Sequence, residues 1–124
     1  MTPTLRRQLI QGGMTILFLF WAYFQLNDPD FEPWVAMYLA TAVLSGAAAL
    51  GKTPAAAPLG LVLLTLCWLI ILIPEAMQHA FGAFFEEVEG ELWRESGGLL
   101  ITGLWNYGLF RQLKAASRER SEEA

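Results

Sequence analysis

The chain has 124 residues, of which 55% are apolar, and its 8 basic and 12 acidic residues leave a formal net charge of −4. Charged residues are absent from four stretches, which cover residues 8–27, 33–51, 53–74 and 96–110. A helix needs about 20 apolar residues to cross the ~30 Å hydrocarbon layer of a bilayer, and the first three stretches reach about that length. We therefore expect a small polytopic membrane protein, and we exclude a soluble globular domain, a disulfide-framed secreted module and a nucleic-acid binder.

The first predicted element is a membrane span over residues 9–26. Arg6 and Arg7 precede it, as basic residues precede the apolar segment of a signal peptide, but no small-x-small cleavage site follows. We therefore expect this segment to be retained. In the loop that follows, Asp28-Pro29 favours an extended or turn conformation, and Asp30 or Glu32 is placed to cap the next helix.

A second span is predicted over residues 34–50, which are rich in small side chains. The pairs Ala42/Gly46 and Thr41/Ser45 have the small-xxx-small spacing that lets helix backbones approach closely in a membrane. Packing against the first or third span is the expected use of these pairs, and contact with a second subunit is the alternative.

A short link then leads to a third span over residues 58–73, so the second and third spans are expected to form an antiparallel hairpin. The third span is apolar on every side, as expected for a helix that faces lipid or other subunits. Its single cysteine, Cys67, is expected to be a small buried apolar residue, and Pro74 is expected to end or kink the helix.

An amphipathic helix that lies in the outer interface is predicted over residues 75–90, because its apolar residues recur at helical spacing opposite a polar face. The fourth uncharged stretch is short, but its apolar character extends back to Leu92, which predicts a fourth span over 92–113. Within this span, Thr102 and Asn106 are the polar residues expected to bond another helix. Residues 1–114 would then form one domain, followed by a charged cytoplasmic tail over 115–124.

The basic residues predict the orientation of these spans. With the N-terminus in the cytoplasm, seven of the eight basic residues fall on the cytoplasmic side, which is the bias that sets topology. Arg94 is the exception, and nine of the twelve acidic residues share the outer side with it. We therefore expect both termini in the cytoplasm and the protein in the plasma (inner) membrane of a bacterium.

The outer side carries a polar cluster that consists of Asn27, Asp28, Asp30, Arg94 and Glu95. An unpaired arginine near membrane depth is energetically costly. We therefore expect Arg94 to pair with Asp28 or Asp30, which would tie the first loop to the top of the fourth span.

A divalent-cation site is the alternative use of the same region. Glu87, Glu91 and Glu95 recur every four residues and would share a helix face, and Asp28 and Asp30 could complete the set of oxygen ligands that Ca²⁺ prefers. No cation loop of recognised spacing is present, so glutamates solvated at the surface are the simpler interpretation. The sequence requires no cofactor.

His79 is the only histidine. It could ligate a haem, a pigment or a metal, but a single histidine on the polar face of an interfacial helix is usually only solvated, and a haem with two histidine ligands would need a second subunit. No catalytic residue is predicted, since Ser45 and Ser96 have no histidine base within reach.

Two sequence blocks resemble the transmembrane protein 220 family, small polytopic membrane proteins of bacteria and eukaryotes. The first block is Gln25-Leu26-Asn27-Asp28-Pro29-Asp30 with Trp34-Val35 and Tyr38, and the second is Glu89-Gly90-Glu91 with Arg94-Glu95-Ser96-Gly97-Gly98-Leu99-Leu100-Ile101 and Trp105. The resemblance implies an all-α membrane fold and no particular reaction.

Two functional hypotheses follow. The first is a non-enzymatic structural or accessory subunit that packs against other membrane proteins or copies of itself, in an assembly of the respiratory or photosynthetic type. It is favoured by the apolar third span and by the absence of ionisable residues at mid-membrane depth. The alternative is a protein that binds a cation or polar ligand through the outer acidic cluster of 27–30 and 87–95, with membrane hydrolase activity as one form of it.

Overall fold

The structure, a computed structural model, describes residues 2–27, 29–82 and 87–123, and it describes the side chains of 2–27, 29–72 and 95–123. The described residues form four helices and no strand: α1 (Pro3–Gln25), α2 (Phe31–Ala49), α3 (Ala56–Gly82) and α4 (Glu87–Glu123). The prediction of an all-α fold with four main helices is therefore confirmed.

The first two helices begin and end where their sequences favour it. The Thr2 hydroxyl accepts a hydrogen bond from the amide of Leu5 at 3.1 Å and so caps α1, with Pro3 in the first turn. Gly51, whose φ is +73°, closes the C-terminus of α2. The amides of Gly51 and Lys52 donate to the carbonyls of Ala48 and Ala47 at 3.0 and 2.8 Å, which is the pattern of a Schellman motif.

The structure divides the region after the third predicted span differently from the sequence analysis. Helix α3 does not end at Pro74 but continues to Gly82, so of the two expected effects of this proline only a kink stays a prediction. The predicted interfacial helix over 75–90 is not a separate element among the described residues: 75–82 belong to α3 and 87–90 to α4. Helix α4 also continues through the predicted tail to Glu123.

The bundle consists of two helical hairpins, α1 with α2 and α3 with α4, which pack closely within each pair. Helix α2 also contacts both α3 and α4 and so joins the hairpins. Helices α2 and α3 are joined by a short link and contact each other, as expected of a hairpin. However, α2 packs more closely against α1, and α3 packs more closely against α4. One end of the bundle holds the start of α1, the α2–α3 link and the last residues of α4, and we call it the terminal end. We call the opposite end of the bundle the loop end.

The predicted spans 9–26, 34–50, 58–73 and 92–113 fall largely within the four helices. In the part of the chain that the structure describes, no helix reaches both the length and the mean hydropathy required of a membrane span. The bundle's location in a membrane is therefore not established by its helices and stays a prediction at this point.

Candidate functional site

The polar cluster expected at the loop end is described only in part. Asn27 and Asp30 are exposed, and Asp30 makes no side-chain hydrogen bond to the start of α2. Glu95 is half-buried, and it acts electrostatically on the Tyr38 hydroxyl. Asp28 and the side chain of Arg94 lie outside the described residues, so the expected ion pair stays a prediction.

Most of the predicted ligands of a cation or cofactor also lie outside the described side chains. This is the case for Glu87, Glu91 and His79. Among the side chains that are described, no three histidine, cysteine or acidic residues come together as they would around a metal ion. The cation hypothesis therefore gains no support from the described part of the chain.

A different set of polar residues is concentrated in the interior of the bundle. Of the side chains that the structure describes, seven polar ones are at most 7% exposed, and none of them belongs to the cluster predicted from the sequence. They are Gln11, Thr41, Ser45, Thr65, Ser96, Thr102 and Asn106. A buried polar group is costly unless it is hydrogen-bonded, so the partners of these residues show what holds the helices together.

The centre of this set joins α2 to α4. The amide nitrogen Nδ2 of Asn106 donates to Thr41 Oγ1 at 3.2 Å, and the indole nitrogen of Trp105 donates to Ser45 Oγ at 2.8 Å. We call Thr41, Ser45, Thr102, Trp105 and Asn106 the polar layer. Its two interhelical hydrogen bonds fix the rotation of α4 against α2, since consecutive residues of α4 must meet hydroxyls one turn apart on α2.

The hydroxyl groups of the polar layer are shared between two kinds of partner. Thr41 and Ser45 donate to the carbonyls of Met37 and Thr41 on their own helix at 3.0 and 2.7 Å, and each accepts a bond from α4. A hydroxyl has one donor and two acceptor positions, so both roles are compatible. The carbonyl oxygen of the Asn106 side chain is the one buried atom of the layer without a partner.

Nearer the loop end, the hairpins meet through aromatic rings. Trp34 of α2 stacks on Trp68 of α3 with ring centroids 4.4 Å apart. Phe18 and Trp21 of α1 lie 6.1 and 6.0 Å from the ring of Tyr38. We call Phe18, Trp21, Trp34, Tyr38 and Trp68 the aromatic layer, which joins three helices in one packed cluster.

Glycines and small residues permit the close approach of helices around both layers. A Cβ atom added at Gly98 would collide with the Tyr38 hydroxyl, and one at Gly103 would lie 2.8 Å from Thr65 Oγ1. Gly46 faces α1, since a Cβ atom added there would lie 3.5 Å from the side chain of Thr15. For Gly46, this agrees with the expected packing of the small-residue pairs against the first or third span.

A polar cleft opens at the terminal end, where α1 meets the end of α4. Arg7 forms a two-bond ion pair with Glu119, at 3.0 and 3.3 Å, and Gln11 Nε2 donates to Gln112 Oε1 at 2.9 Å. The cleft has a volume of about 250 Å³ and is lined by these four residues among others. The Arg7 hydrogen bond and charge lower the pKa of the exposed Glu119 carboxyl.

The sequence analysis anticipated some of these contacts and missed others. Asn106 was expected to bond another helix, and it does so through Thr41, whereas the Thr102 hydroxyl donates to the Gly98 carbonyl of its own helix at 2.7 Å. Cys67 was expected to be buried, and this was wrong, because it lies on the outward face of α3. The Trp105–Ser45 bond was missed, although the spacing of polar residues on α2 and α4 was the signal that could have revealed it.

Comparison with known proteins finds one matching family model. The family model described as "Transmembrane family 220, helix" matches residues 17–111, which include the aromatic layer and the polar layer in full. No curated protein and no solved structure matches the chain.

Proposed function

We propose that this chain, which belongs to transmembrane family 220, is a four-helix integral membrane protein that serves as a non-enzymatic structural or accessory subunit. Its polar residues would hold its own helices together, and its apolar exterior would contact lipid and a neighbouring membrane protein. The observation that carries the proposal is the distribution of polarity between the interior and the exterior of the bundle.

This distribution differs from that of a typical water-soluble domain, in which buried polar side chains and large exposed apolar surfaces are both uncommon. Among the described side chains, seven polar ones are buried beside the apolar core, while large apolar side chains on every helix are more than half exposed. The exposed set includes Leu9, Ile16, Phe20 and Phe24 on α1, Val43 on α2, Leu63, Ile70 and Ile71 on α3, and Leu100 and Leu104 on α4.

A bilayer explains both parts of this distribution. Lipid tails are as apolar as leucine, so exposed apolar side chains cost nothing there, and helices associate through close packing and interhelical hydrogen bonds instead. The glycine contacts at Gly46, Gly98 and Gly103 supply the close packing, and the polar layer supplies the hydrogen bonds. In water the same exterior would be a large apolar patch of the kind that drives aggregation.

The orientation that we propose has the terminal end in the cytoplasm. The Arg7–Glu119 pair brings the start of α1 next to the end of α4. Lys52 lies in the α2–α3 link, which is also at the terminal end. The seven basic residues outside Arg94 therefore share one end of the bundle, in agreement with the bias of cytoplasmic loops.

The accessory role rests on how the polar groups are used. Among the described side chains, the buried polar residues are uncharged, and most of them bond within the bundle. An intramembrane transport path commonly uses ionisable groups at mid-depth. The residues that face outward, such as Ile70 and Ile71 at 72% exposure each on α3, offer an apolar surface to a partner helix.

Two measurements test the proposal in sequence. First, membranes that contain the tagged full-length protein are washed with alkaline carbonate. Retention in the pellet is expected, and release into the supernatant would overturn the membrane location. Second, the protein is purified in a mild detergent and its complex is sized. Copurification with a larger membrane protein in fixed ratio is expected, and a monomer or homo-oligomer alone would overturn the accessory role.

A variant pair locates the contact surface if a partner copurifies. Ile70→Ala with Ile71→Ala removes exposed side chains from α3, and we expect a severalfold loss of the partner from the complex. Val43→Ala on α2, which is 66% exposed, is the matched control and should retain it. Equal losses in both variants would contradict the assignment of the contact to α3.

A further inference from the structure

The segment of α4 that leads to the terminal end carries a shallow groove on its outward face. The groove has a volume of about 430 Å³ and is lined by residues at positions 107, 110, 111, 114, 115 and 118. These positions recur every three or four residues, so they occupy one side of the helix over three turns. The groove is separate from the polar cleft, which lies where α4 faces α1.

The groove is a site of positive charge. Arg111, Lys114 and Arg118 are all exposed, and no acidic side chain lines the groove. None of the three cations forms a salt bridge with a described carboxylate, whereas Arg7 in the neighbouring cleft is neutralised by Glu119. The nearest carboxylate in sequence on this side of α4 is Glu122, one turn beyond Arg118.

Two aromatic rings form the inner end of the groove. The ring centroids of Tyr107 and Phe110 are 6.5 Å apart, and the ammonium group of Lys114 lies 5.6 Å from the Phe110 centroid. A cation at this distance from a ring is attracted to its face, which positions the ammonium over the groove. Tyrosine beside lysine and arginine is typical of the headgroup level of a bilayer.

Above the rings, the same face of α4 is apolar and exposed. Leu100, Leu104 and Tyr107 are 53%, 63% and 48% exposed, and they follow one another at spacings of four and three residues toward Arg111. An apolar track that ends at three cations matches the two parts of a phospholipid, since acyl chains contact leucine and the phosphate contacts the cations.

We propose that this groove binds the headgroup of an anionic phospholipid from the leaflet at the terminal end, with its acyl chain along Leu100 and Leu104. The guanidinium groups of Arg111 and Arg118 can each donate two parallel hydrogen bonds to phosphate oxygens, and Lys114 adds a point charge. This inference rests on the proposed membrane location, because a soluble protein would not meet the lipid in this orientation.

Native mass spectrometry of the full-length protein in detergent tests the site directly. The protein is titrated with phosphatidylglycerol and, separately, with phosphatidylcholine of the same acyl chains. Tighter binding of phosphatidylglycerol to the first site is expected. One cation near an anionic headgroup is worth about 1 kcal/mol, which corresponds to about a fivefold change in affinity. Lys114→Gln should therefore weaken the first phosphatidylglycerol by about fivefold, and the triple Arg111→Gln, Lys114→Gln, Arg118→Gln variant should abolish the preference over phosphatidylcholine.

Control variants distinguish a specific lipid site in the groove from a general attraction of anionic lipid to the basic end of the bundle. Arg6→Gln removes one exposed charge at the same end of the bundle, outside the groove, and should leave the affinity of the first lipid unchanged. If Arg6→Gln weakens binding as much as Lys114→Gln, the attraction is diffuse and the proposed site is overturned. If inorganic phosphate displaces the lipid at similar concentration, the acyl chain contributes nothing and the lipid assignment is overturned.

The single substitution keeps the test interpretable if the triple variant does not fold, since an exposed lysine is rarely needed for folding. Carbonate extraction of the same preparations distinguishes the two levels of the proposal. Release of the protein by carbonate would mean that the membrane location has failed. Retention by the membrane without a preference for phosphatidylglycerol would mean that only the lipid site has failed.

Discussion

The aromatic layer, which joins α1, α2 and α3, and the polar layer, which joins α2 and α4, hold the bundle together by different means. In the aromatic layer, contact is made by rings, with the Trp34–Trp68 stack at 4.4 Å as its closest pair. In the polar layer, one turn or more nearer the terminal end, α2 and α4 are joined by the Trp105–Ser45 and Asn106–Thr41 hydrogen bonds. The first layer therefore depends on shape and the second on the direction of donors and acceptors.

This difference has consequences for what each layer tolerates. A close-packed layer resists added volume, because side chains already interdigitate and have no space into which to move. A hydrogen-bonded layer resists the loss of one partner, because the other is left buried without its bond. Substitutions that add a methyl group should therefore act on the aromatic layer, and substitutions that remove a polar atom should act on the polar layer.

The largest effect is expected from Gly98→Ala, beside the aromatic layer. The new methyl group would collide with the Tyr38 hydroxyl, and Tyr38 is only 4% exposed. Overpacking of this kind costs about 1–3 kcal/mol, so the free energy of unfolding in detergent should fall by about that amount. Reversible unfolding in a denaturing detergent, followed by circular dichroism, measures the change.

The neighbouring glycine provides the control for this prediction. A Cβ atom at Gly97 would meet no atom within 4 Å, so Gly97→Ala should gain the roughly 1 kcal/mol of helix propensity that alanine has over glycine. Tyr38→Phe, which removes the colliding hydroxyl, should recover most of the stability lost in Gly98→Ala. If both alanine variants behave alike, the close contact between α2 and α4 at Gly98 is wrong.

A smaller effect is expected from the Asn106–Thr41 bond in the polar layer. Hydrogen bonds between membrane helices contribute about 0.6 kcal/mol on average and up to about 1.7. A double-mutant cycle with Asn106→Ala and Thr41→Val should therefore give a coupling energy in that range, measured by the same unfolding assay.

The control cycle pairs Asn106→Ala with Thr15→Val. The Thr15 hydroxyl donates to the Gln11 carbonyl of its own helix at 2.8 Å and lies on α1, so the two substitutions should be additive. A coupling energy as large as that of the Asn106–Thr41 pair would show that the cycle reports general loosening of the bundle.

The sequence was sufficient for the features that depend on local pattern. Four helices, the short link after α2 and the bond of Asn106 to another helix all follow from the apolar stretches and from a polar residue within one of them. The rotation of each helix was not predictable, because it depends on which side chains of two helices fit together. Cys67 shows this: the third span is apolar on every side, so its sequence does not indicate which face points outward.

The dependence on helix rotation also explains why the polar residues that join the helices differ from the candidate site expected from the sequence. The sequence analysis placed weight on the charges at the loop end, where Asn27 and Asp30 are exposed in the structure. The interior polar residues are serines, threonines, a glutamine and an asparagine, whose importance depends on being buried. Thr41 and Ser45 were interpreted as small residues for close packing against the first or third span, whereas they face α4 and accept its hydrogen bonds.

The smallest effect on stability is expected at the Arg7–Glu119 pair, which lies outside both layers and serves as a reference for them. Glu119 is exposed, so solvent screens the pair and Arg7→Gln should leave the unfolding transition nearly unchanged. The measurable consequence is in the titration of Glu119. Because Arg7 lowers the pKa of this carboxyl, Arg7→Gln should move the pKa back up toward its ordinary value, as followed by NMR of labelled glutamate.

The sign of the pH dependence follows from the lowered pKa. The native carboxyl holds its proton less tightly than the unfolded one, so the small stabilisation is present above the ordinary glutamate pKa and is lost as the pH falls through the lowered native pKa. Arg6→Gln removes an adjacent charge that is not bonded to Glu119 and should leave the titration in place. A rise in the Glu119 pKa in Arg6→Gln equal to that in Arg7→Gln would mean that the general positive charge of the terminal end, rather than the two hydrogen bonds from Arg7, determines the ionisation of Glu119.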